Sequence, residues 1–357
     1  MRSIVCFGEV LTRFSSPGFL RLSQAIPGGL EVRFAGAEAN VAATVALLGG
    51  QSRLVTTLPA NVLGECAVRF FRSLNVDTTF IRQSESGRMG AYFLETGVAQ
   101  RASNVLYDRD YSAFSLAPGH SYPWDEILAD AAWLMASGIN PALSSTAAEA
   151  TLRAMRAACR HGVSVCCDLN YRSRLWQWEP GTPPREVARR EMAKLMPFVD
   201  VVLTNPGQAH DVLGIPWEEG CRGDLEACKR AARAIAEAYP HLGKVVFTMR
   251  ESVSASRNII GALLLDVKQD RIYLAPEEDG VYRPYEIAPI VDRVGAGDAF
   301  AGGLLYALSS GEDPGQALSF AIAASCLAHG IPGDIPFVTL PEVRALMAGN
   351  RSGRIIR

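Results

Sequence analysis

Lysine is scarce in this chain of 357 residues. Lysine and arginine together number 35, but the only lysines are Lys194, Lys229, Lys244 and Lys268. A P-loop, which cradles nucleotide phosphates, needs a Gly-Lys pair followed by serine or threonine. The one Gly-Lys pair here is Gly243-Lys244, and Val245 follows it. A P-loop is therefore excluded, and any nucleotide site must hold phosphates in another way.

Other absences narrow the class of protein. The chain has no long charge-free apolar run, which predicts that it does not span a membrane. Its formal net charge of −2 gives no reason to expect a nucleic acid or an anionic lipid surface as a partner. The eight cysteines include no CxxC pair, and the histidines show no metal-ligand spacing. We therefore predict reduced thiols in a cytoplasmic protein and no metal held by protein ligands.

Short apolar runs alternate with helical patterns along the chain, and 48% of the residues are hydrophobic. The pattern predicts strands at residues 4–7, 53–57, 133–136, 164–167, 199–203, 245–247 and 262–265. It predicts helices at residues 38–48, 64–74, 146–159, 208–213, 225–238, 298–308, 314–328 and 341–347. Such alternation favours an α/β fold with a mostly parallel sheet and helices on both faces. We expect one domain over residues 1–357, with a small β lid formed roughly by residues 11–35 and 89–110.

A glycine-containing turn near the end of the chain is the most informative about chemistry. An apolar stretch leads into Gly295, Ala296 and Gly297, and a helical pattern begins at Asp298. Free N–H groups at a helix start bind anions, because nothing inside the helix satisfies them. Asp298 has two interpretations: an ordinary helix cap, or a carboxylate that takes a hydroxyl proton beside a bound phosphate. A dinucleotide-binding turn is excluded, because its sixth position needs a small residue and Phe300 stands there.

Two sequence motifs resemble the signatures of ribokinase-like (PfkB) carbohydrate kinases. DRVGAGD at residues 292–298 resembles their C-terminal signature, and GAEAN at residues 36–40, followed by an alanine-rich stretch, resembles the N-terminal one. Further segments are similar to those of the 2-keto-3-deoxygluconate kinases in this family. These are FGE at residues 7–9, YFLE at 92–95, VLYDR at 105–109, DLNYR at 168–172 and HGIPGD at 329–334.

The resemblance implies a ribokinase-like three-layer fold and an enzyme that uses ATP and Mg²⁺ to phosphorylate the terminal hydroxyl of 2-keto-3-deoxygluconate. It implies that Asp298 is the base toward that hydroxyl. The amides of Gly295, Ala296 and Gly297 would form the anion hole for the transferred phosphoryl group. Two other interpretations stay open: a PfkB-type kinase for fructose, ribose or a related sugar acid, and a degenerate protein that binds sugar or nucleotide as a sensor.

The resemblance also implies which residues meet the sugar. They are Gly36, Asn40, Tyr92, Tyr107, Arg109 and Arg172. The glycine and the amide would meet sugar hydroxyls, and the two tyrosines would cover the sugar from the lid. A keto-deoxy acid differs from a neutral sugar by its carboxylate, which a planar guanidinium can grip with two hydrogen bonds. Arg109 and Arg172 lie in the family-like segments, so we expect them at that carboxylate.

On the nucleotide side, the resemblance implies contacts of ATP with Asn205, Thr248, Arg250, Gly297 and His329. The family usually has Asn-x-x-Glu at residues 205–208, where the acid organises Mg²⁺ through water, but this chain has Gln208. A neutral amide orients water without carrying charge, so we expect weakened rather than abolished Mg²⁺ binding. The lid strands of such kinases often pair between subunits, because an exposed strand edge seeks a partner. The resemblance therefore implies a homodimer formed through the lid.

Overall fold

The computed structural model describes residues 2–217 and 224–350; residues 1, 218–223 and 351–357 of the predicted domain lie outside the described residues. The described strands are β1 Ser3–Phe7, β2 Leu11–Ser15, β3 Glu31–Ala35, β4 Ser52–Pro59, β5 Ile81–Ser84, β6 Gly90–Glu95, β7 Asn104–Asp108, β8 Ala131–Ser137, β9 Ser164–Asp168, β10 Val201–Thr204, β11 Lys244–Ser254, β12 Arg257–Asp266, β13 Arg271–Ala275, β14 Glu277–Glu278, β15 Val281–Tyr282 and β16 Tyr285–Ile287. The α-helices are α1 Leu22–Ala25, α2 Ala37–Leu47, α3 Val62–Ser73, α4 Ala113–Leu116, α5 Trp124–Leu128, α6 Ile139–Leu143, α7 Ser145–Arg160, α8 Pro184–Leu195, α9 Pro206–Gln208, α10 Leu225–Ala238, α11 Ala296–Ser309, α12 Pro314–Ala328 and α13 Leu340–Met347. Among these described helices, none has the length and apolar content needed to cross a membrane.

The main sheet contains ten strands. Their order is β13-β12-β11-β10-β9-β8-β1-β4-β5, and β16 also pairs with β12. The strands from β5 to β11 run parallel to one another, and antiparallel pairing begins between β11 and β12. The carboxyl ends of parallel strands meet at one edge of a sheet, where α/β proteins bind ligands. The segments that follow β1, β9 and β10 therefore lie together at this edge.

Successive residues of the central strands enter two different hydrophobic layers. Ile4 and Cys6 of β1 belong to the cluster that contains residues of α2, α11 and α12. Val5 and Phe7 belong to the cluster that contains residues of α7, α8 and α10. All four side chains are fully buried. Burial on both faces explains why the parallel strands read as continuous apolar runs in the sequence.

The two stretches predicted as a lid contain four strands of a separate sheet, in the order β3-β2-β6-β7. Strand β2 runs parallel to β6, with Arg13 opposite Tyr92 and Phe14 opposite Phe93. Arg13 and Tyr92 are buried on one face. The rings of Phe14 and Phe93 stack on the other, with centroids 5.1 Å apart. We call this four-stranded sheet the lid.

Some predicted elements were wrong or incomplete. Strand β11 continues to Ser254, well past the predicted end at 247, because its later polar residues leave the core and pair with β12 as a hairpin. Helix α8 was missed, because its many charged residues obscure an apolar face that includes Val187 and Leu195. The helix predicted at 208–213 is the short α9 followed by a π-helical turn over Ala209–Leu213.

Candidate active site

A cleft of about 1260 Å³ lies between the carboxyl edge of the parallel strands and the lid. All the residues predicted for the site line this cleft: Gly36, Asn40, Tyr92, Tyr107, Arg109, Arg172, Asn205, Thr248, Arg250, Gly295, Ala296, Gly297, Asp298 and His329. A second cavity of about 430 Å³, lined by residues of α7 and α8, contains none of them. The fold therefore brings together residues from both ends of the chain.

The glycine turn at the start of α11 is shaped for anion binding. Gly295 is the N-cap residue and adopts a left-handed conformation with φ of 84°. A Cβ at Gly295 would overlap the carbonyl oxygen of Asp334, so both the conformation and the space require glycine. The N–H groups of Ala296, Gly297 and Asp298 open the helix, where no intrahelical carbonyl can accept from them. The turn thus offers hydrogen-bond donors and the positive end of the helix dipole to an anion.

Asp298 is held by an amide from the other signature motif. Asn40 Nδ2 donates to Asp298 Oδ2 at 2.7 Å, although the two residues are 258 positions apart in the sequence. Burial raises the pKa of Asp298 well above the usual carboxyl range, the charges of Asp168, Asp334 and Glu38 raise it further, and the bond from Asn40 opposes them. Because Gly295 is the N-cap residue, Asp298 does not cap α11. A half-buried carboxylate of raised pKa is a stronger proton acceptor than an exposed one.

The sugar side of the cleft has an excess of buried acceptor oxygens. Glu38 is 1% exposed, and burial raises its pKa to about 7. Burial likewise raises the pKa of Asp168 to about 6, and the nearby positive charge of Arg172 opposes this. Glu9 Oε1, Glu38 Oε1 and Asn40 Oδ1 are buried without a hydrogen-bond partner among the described residues. Carboxylate and amide oxygens of this kind require donors, and the hydroxyl groups of a sugar are donors.

Arg109 is partly engaged by the protein itself. Its Nε donates to Glu9 Oε2 at 2.7 Å, and its Nη2 lies 2.5 Å from the same oxygen. Both side chains are nearly inaccessible to solvent, and the guanidinium carbon lies 5.8 Å from the centroid of the Tyr107 ring. These contacts involve Nε and Nη2 and not Nη1, and Arg109 lines the cleft. The ion pair fixes this arginine at the cleft.

Three further arginines lie close to one another at the cleft. Arg172 and Arg250 form no ion pair with the described residues, whereas Arg293 donates to the carbonyls of Ser254 and Ala255 at 3.0 and 2.7 Å. Partial burial lowers the pKa of Arg250, and the charges of Arg293 and Arg172 lower it further. A group of neighbouring cations of this kind attracts a polyanion.

The residues predicted to meet ATP carry different local roles. Asn205 caps α9, since its Oδ1 accepts from the backbone N–H of Gln208 at 3.0 Å. His329 is 2% exposed, its Nδ1 lies 2.8 Å from the Ser325 carbonyl oxygen, and burial lowers its pKa. Gln208, at the position of the family's usual acid, lines the cleft. Within residues 2–217 and 224–350, no cluster of three or more His, Cys, Asp or Glu side chains could hold a metal ion.

One buried group beside the turn was not predicted from the sequence. Arg13 of β2 places Nη2 2.5 Å from Asp292 Oδ2 and Nη1 2.7 Å from Asp334 Oδ1. The hydroxyl of Tyr92 donates to Asp334 Oδ2 at 2.5 Å. The available signal was an arginine at an inward position of an otherwise buried lid strand, which demands an acidic partner. We call these four side chains the Arg13 network.

Comparison with known proteins identifies the family. A model of the pfkB family carbohydrate kinases matches residues 1–339. The chain belongs to this family. The kinase is 34% identical over 351 residues to a 2-dehydro-3-deoxygalactonokinase of Haloferax volcanii, with 98% of each chain covered. It is 27% identical to a 2-dehydro-3-deoxygluconokinase of Thermoproteus tenax, covering 94% of this chain and 90% of the relative.

A solved structure gives the same result for the fold. The crystal structure of a 2-dehydro-3-deoxygluconokinase from Thermotoga maritima is 38% identical, with a TM-score of 0.89, and covers 98% of this chain and 100% of its own. The predictions of a ribokinase-like fold, of the PfkB family and of a sugar kinase are therefore confirmed. The roles of individual residues are not tested by these comparisons and remain predictions.

Proposed function

We propose that the kinase transfers the γ-phosphoryl group of ATP to the terminal hydroxyl of 2-keto-3-deoxygluconate. The observation that carries the proposal is that the Gly295 turn, Asp298 and two arginines, Arg109 and Arg172, line one and the same cleft. A neutral hexose gives no reason for these cations, whereas the carboxylate of a keto-deoxy acid does. The relatives are kinases of 2-dehydro-3-deoxy sugar acids, which supports the same substrate class.

In the proposed reaction Asp298 accepts the proton of the terminal hydroxyl while its oxygen attacks the γ-phosphorus. The new bond joins the sugar oxygen to phosphorus, and the bond from phosphorus to the bridging oxygen of ADP breaks. The N–H groups of Ala296 and Gly297 hydrogen-bond the phosphoryl oxygens, where negative charge concentrates. Asn40 holds the base in place through its 2.7 Å bond.

The sugar would occupy the space between the lid and the end of β1. Gly36, with φ of 145°, allows the sugar to approach the backbone. Asn40 lines the cleft, and its Oδ1, which has no partner among the described residues, would accept from a sugar hydroxyl. Tyr107 would cover the ring from the lid, while Tyr92 reaches the site through its bond to Asp334. Arg109 Nη1 and the guanidinium of Arg172 would bind the carboxylate.

ATP would lie along the opposite side of the cleft, near Asn205, Thr248, Arg250 and His329. Magnesium prefers octahedral oxygen ligands and retains several waters, so the neutral Gln208 fits an ion held mainly by ATP phosphates. When bound, Mg²⁺ would neutralise phosphate charge. Gln208 would orient its waters, and Arg250 would neutralise further phosphate charge.

We extend the proposal to assembly and location. Among the described residues, the outer strands β3 and β7 of the lid each pair on one side only, and Val32 and Leu106 on these strands are each 58% exposed. A second copy of the lid would cover these edges and side chains, which supports a homodimer. Free thiols are present at Cys6, Cys66, Cys159, Cys166 and Cys167. Reduced cysteines of this kind support a cytoplasmic enzyme supplied with ATP.

A coupled assay of ADP release tests the proposed function. The purified protein is incubated with ATP, Mg²⁺ and, in turn, 2-keto-3-deoxygluconate, its galactonate epimer, fructose and ribose. We expect the highest kcat/KM with 2-keto-3-deoxygluconate and much lower values with the two neutral sugars. A protein that turns over only fructose or ribose, or none of the panel, contradicts the proposal.

The galactonate epimer is the second candidate substrate. It is favoured by one observation: the Haloferax volcanii relative, which is 34% identical over nearly the full length, is a 2-dehydro-3-deoxygalactonokinase. The two acids share the carboxylate and the terminal hydroxyl, so the arginines and Asp298 cannot distinguish them. The ratio of kcat/KM for the two epimers decides between them.

A further inference from the structure

The Arg13 network joins the lid to both segments that shape the phosphate turn. Asp292 Oδ1 accepts from the backbone N–H of Val294 at 3.1 Å, and its Oδ2 accepts from the N–H of Gly333 at 3.1 Å. These two amides flank the turn in space, one just before Gly295 and one just before Asp334. Arg13 binds both carboxylates with separate nitrogens, at 2.5 and 2.7 Å. One lid side chain thus holds the two segments together.

The packing leaves little freedom between these parts. The carbonyl oxygen of Asp334 lies so close to Gly295 that no Cβ fits between them. The side chains of Arg13, Asp292 and Asp334 are 3 to 5% exposed, so water cannot replace the ion pairs. Tyr92, from the neighbouring lid strand, binds the second oxygen of Asp334 at 2.5 Å. A displacement of strands β2 and β6 must therefore displace the turn or break buried charged hydrogen bonds.

We infer that Arg13 is a positioning residue that couples the lid to the phosphate turn, so that covering the sugar and assembling the anion hole are one event. Arg13 does not line the cleft, whereas Asp334, Gly295 and Asp298 do. Its action on the reaction therefore passes through the carboxylates that it holds. An arginine is required because a planar guanidinium can span two carboxylates, whereas an ammonium is a point charge.

The inference rests on the proposed function and predicts a measurable coupling between the two substrates. If the lid and the turn move together, sugar bound under the lid prepares the turn for phosphate. The sugar and a non-hydrolysable ATP analogue should then tighten each other's binding, and allosteric couplings are typically about 5- to 150-fold. Calorimetric titration of the analogue with and without saturating sugar acid gives this factor directly.

Two variants separate coupling from folding. In Arg13→Met with Asp292→Asn, one cation and one anion are removed together, so the net charge of the buried network is unchanged. In Arg13→Lys the charge remains but the two-carboxylate bridge is lost. Arg88→Met is the matched control, because Arg88 pairs with Asp108 beside the same lid but at its exposed surface.

We expect a coupling factor of at least about 5 in the unaltered kinase. It should fall to about one in the double variant and to an intermediate value in Arg13→Lys, and it should be unchanged in Arg88→Met. The kcat should fall further than the KM for the sugar rises, because the anion hole acts mainly in the transition state. If the double variant does not fold, Arg13→Lys decides.

Two outcomes overturn the inference. The first is a folded Arg13 variant that keeps the full coupling factor and kcat, whether or not its melting temperature is lower. The second is an unaltered kinase that shows normal turnover but no coupling between the two substrates. Failure of the proposed function looks different, because the unaltered kinase then turns over no sugar acid in the first place. The coupling is in that case measured with whichever sugar is phosphorylated, and a kinase that binds no sugar overturns both.

Discussion

At the scale of single residues, the chemistry of this site comes from neighbours distant in sequence. Asp298 is one of 37 acidic residues, and only its surroundings distinguish it. Asn40 holds Oδ2 of Asp298, and the helix start supplies hydrogen-bond donors beside this carboxyl group. Burial and three nearby carboxylates raise the pKa of Asp298. The same residue at an exposed helix start would be an ordinary cap.

The first prediction concerns Asp298→Asn, which removes the proposed base while keeping the shape of the side chain. We expect kcat to fall by about 10²- to 10⁴-fold, the usual contribution of a positioned base. In the unaltered kinase, kcat/KM should rise with pH through the raised pKa of Asp298, above the usual carboxyl range. Asp313→Asn, which alters the N-cap of α12, is the control and should retain activity. Full turnover by Asp298→Asn would exclude the proposed role.

The second prediction concerns the substrate carboxylate. Arg172→Ala should lower kcat/KM for sugar acids by roughly 10- to 100-fold, the value of a charge-assisted hydrogen bond, and leave neutral sugars unaffected. Arg174→Ala is the control, since Arg174 is exposed two residues later and does not line the cleft. Arg109 is a poorer choice, because truncation would leave the buried carboxylate of Glu9 without its cation. Equal losses for acids and neutral sugars would contradict the role of Arg172.

At the scale of elements, the packing of α2 against the end of β1 buries a carboxyl group that is costly to ionise. Glu38 lies in the first turn of α2, almost completely buried, and a Cβ on Gly8 would overlap its carboxylate. Helix α2 places this residue between Ala37 and Asn40, which both line the cleft. The cost of ionising Glu38 falls on the folded state only, because the unfolded chain hydrates the carboxylate.

The third prediction concerns the pH dependence of stability, which follows from the cost of ionising Glu38 in the folded state. The folded pKa of Glu38, about 7, exceeds its ordinary value of 4.5. The folded state therefore binds the proton more tightly, and the stability associated with it is complete below pH 4.5 and lost as pH rises through 7. A shift of this size corresponds to about 3 kcal/mol. The melting temperature of Glu38→Gln should consequently rise relative to that of the unaltered kinase as pH increases from 5 to 8.

Glu226→Gln provides the matched control for this measurement. Glu226 occupies the same helix position in α10 as Glu38 does in α2, but it is exposed and pairs with Lys229. Its substitution should leave the pH dependence of the melting temperature unchanged. A parallel pH dependence for Glu38→Gln and the unaltered kinase would show that Glu38 ionises normally.

At the scale of the whole molecule, the lid has two faces with different tasks. Its inner face carries Arg13 and Tyr92 to the active site, whereas its outer face carries the stacked pair Phe14 and Phe93. An apolar outer face with open strand edges exposes a monomer to aggregation, whereas a dimer buries that face and its edges. The proposed dimer would use the side of the lid that the site does not.

The fourth prediction tests this assembly. Light scattering should give twice the monomer mass for the unaltered kinase, and Leu106→Glu should shift it toward the monomer by placing a charge on the outer face. Val62→Glu is the control, because Val62 is an exposed aliphatic residue, 70% accessible, on α3 rather than on the lid. A monomer in the unaltered kinase, or a dimer that Leu106→Glu leaves intact, contradicts assembly through the lid.

The amino-acid sequence was sufficient for the alternation of strands and helices, because two-sided burial of β1 and its neighbours leaves continuous apolar runs. It was also sufficient for the Gly295 turn, where both backbone conformation and space demand glycine. The three-dimensional structure was needed to join Arg13 to Asp292 and Asp334, and Arg109 to Glu9. Such pairs form between segments 100 to 321 residues apart, and local patterns carry no information about partners brought together only by the packing of the lid on the main sheet.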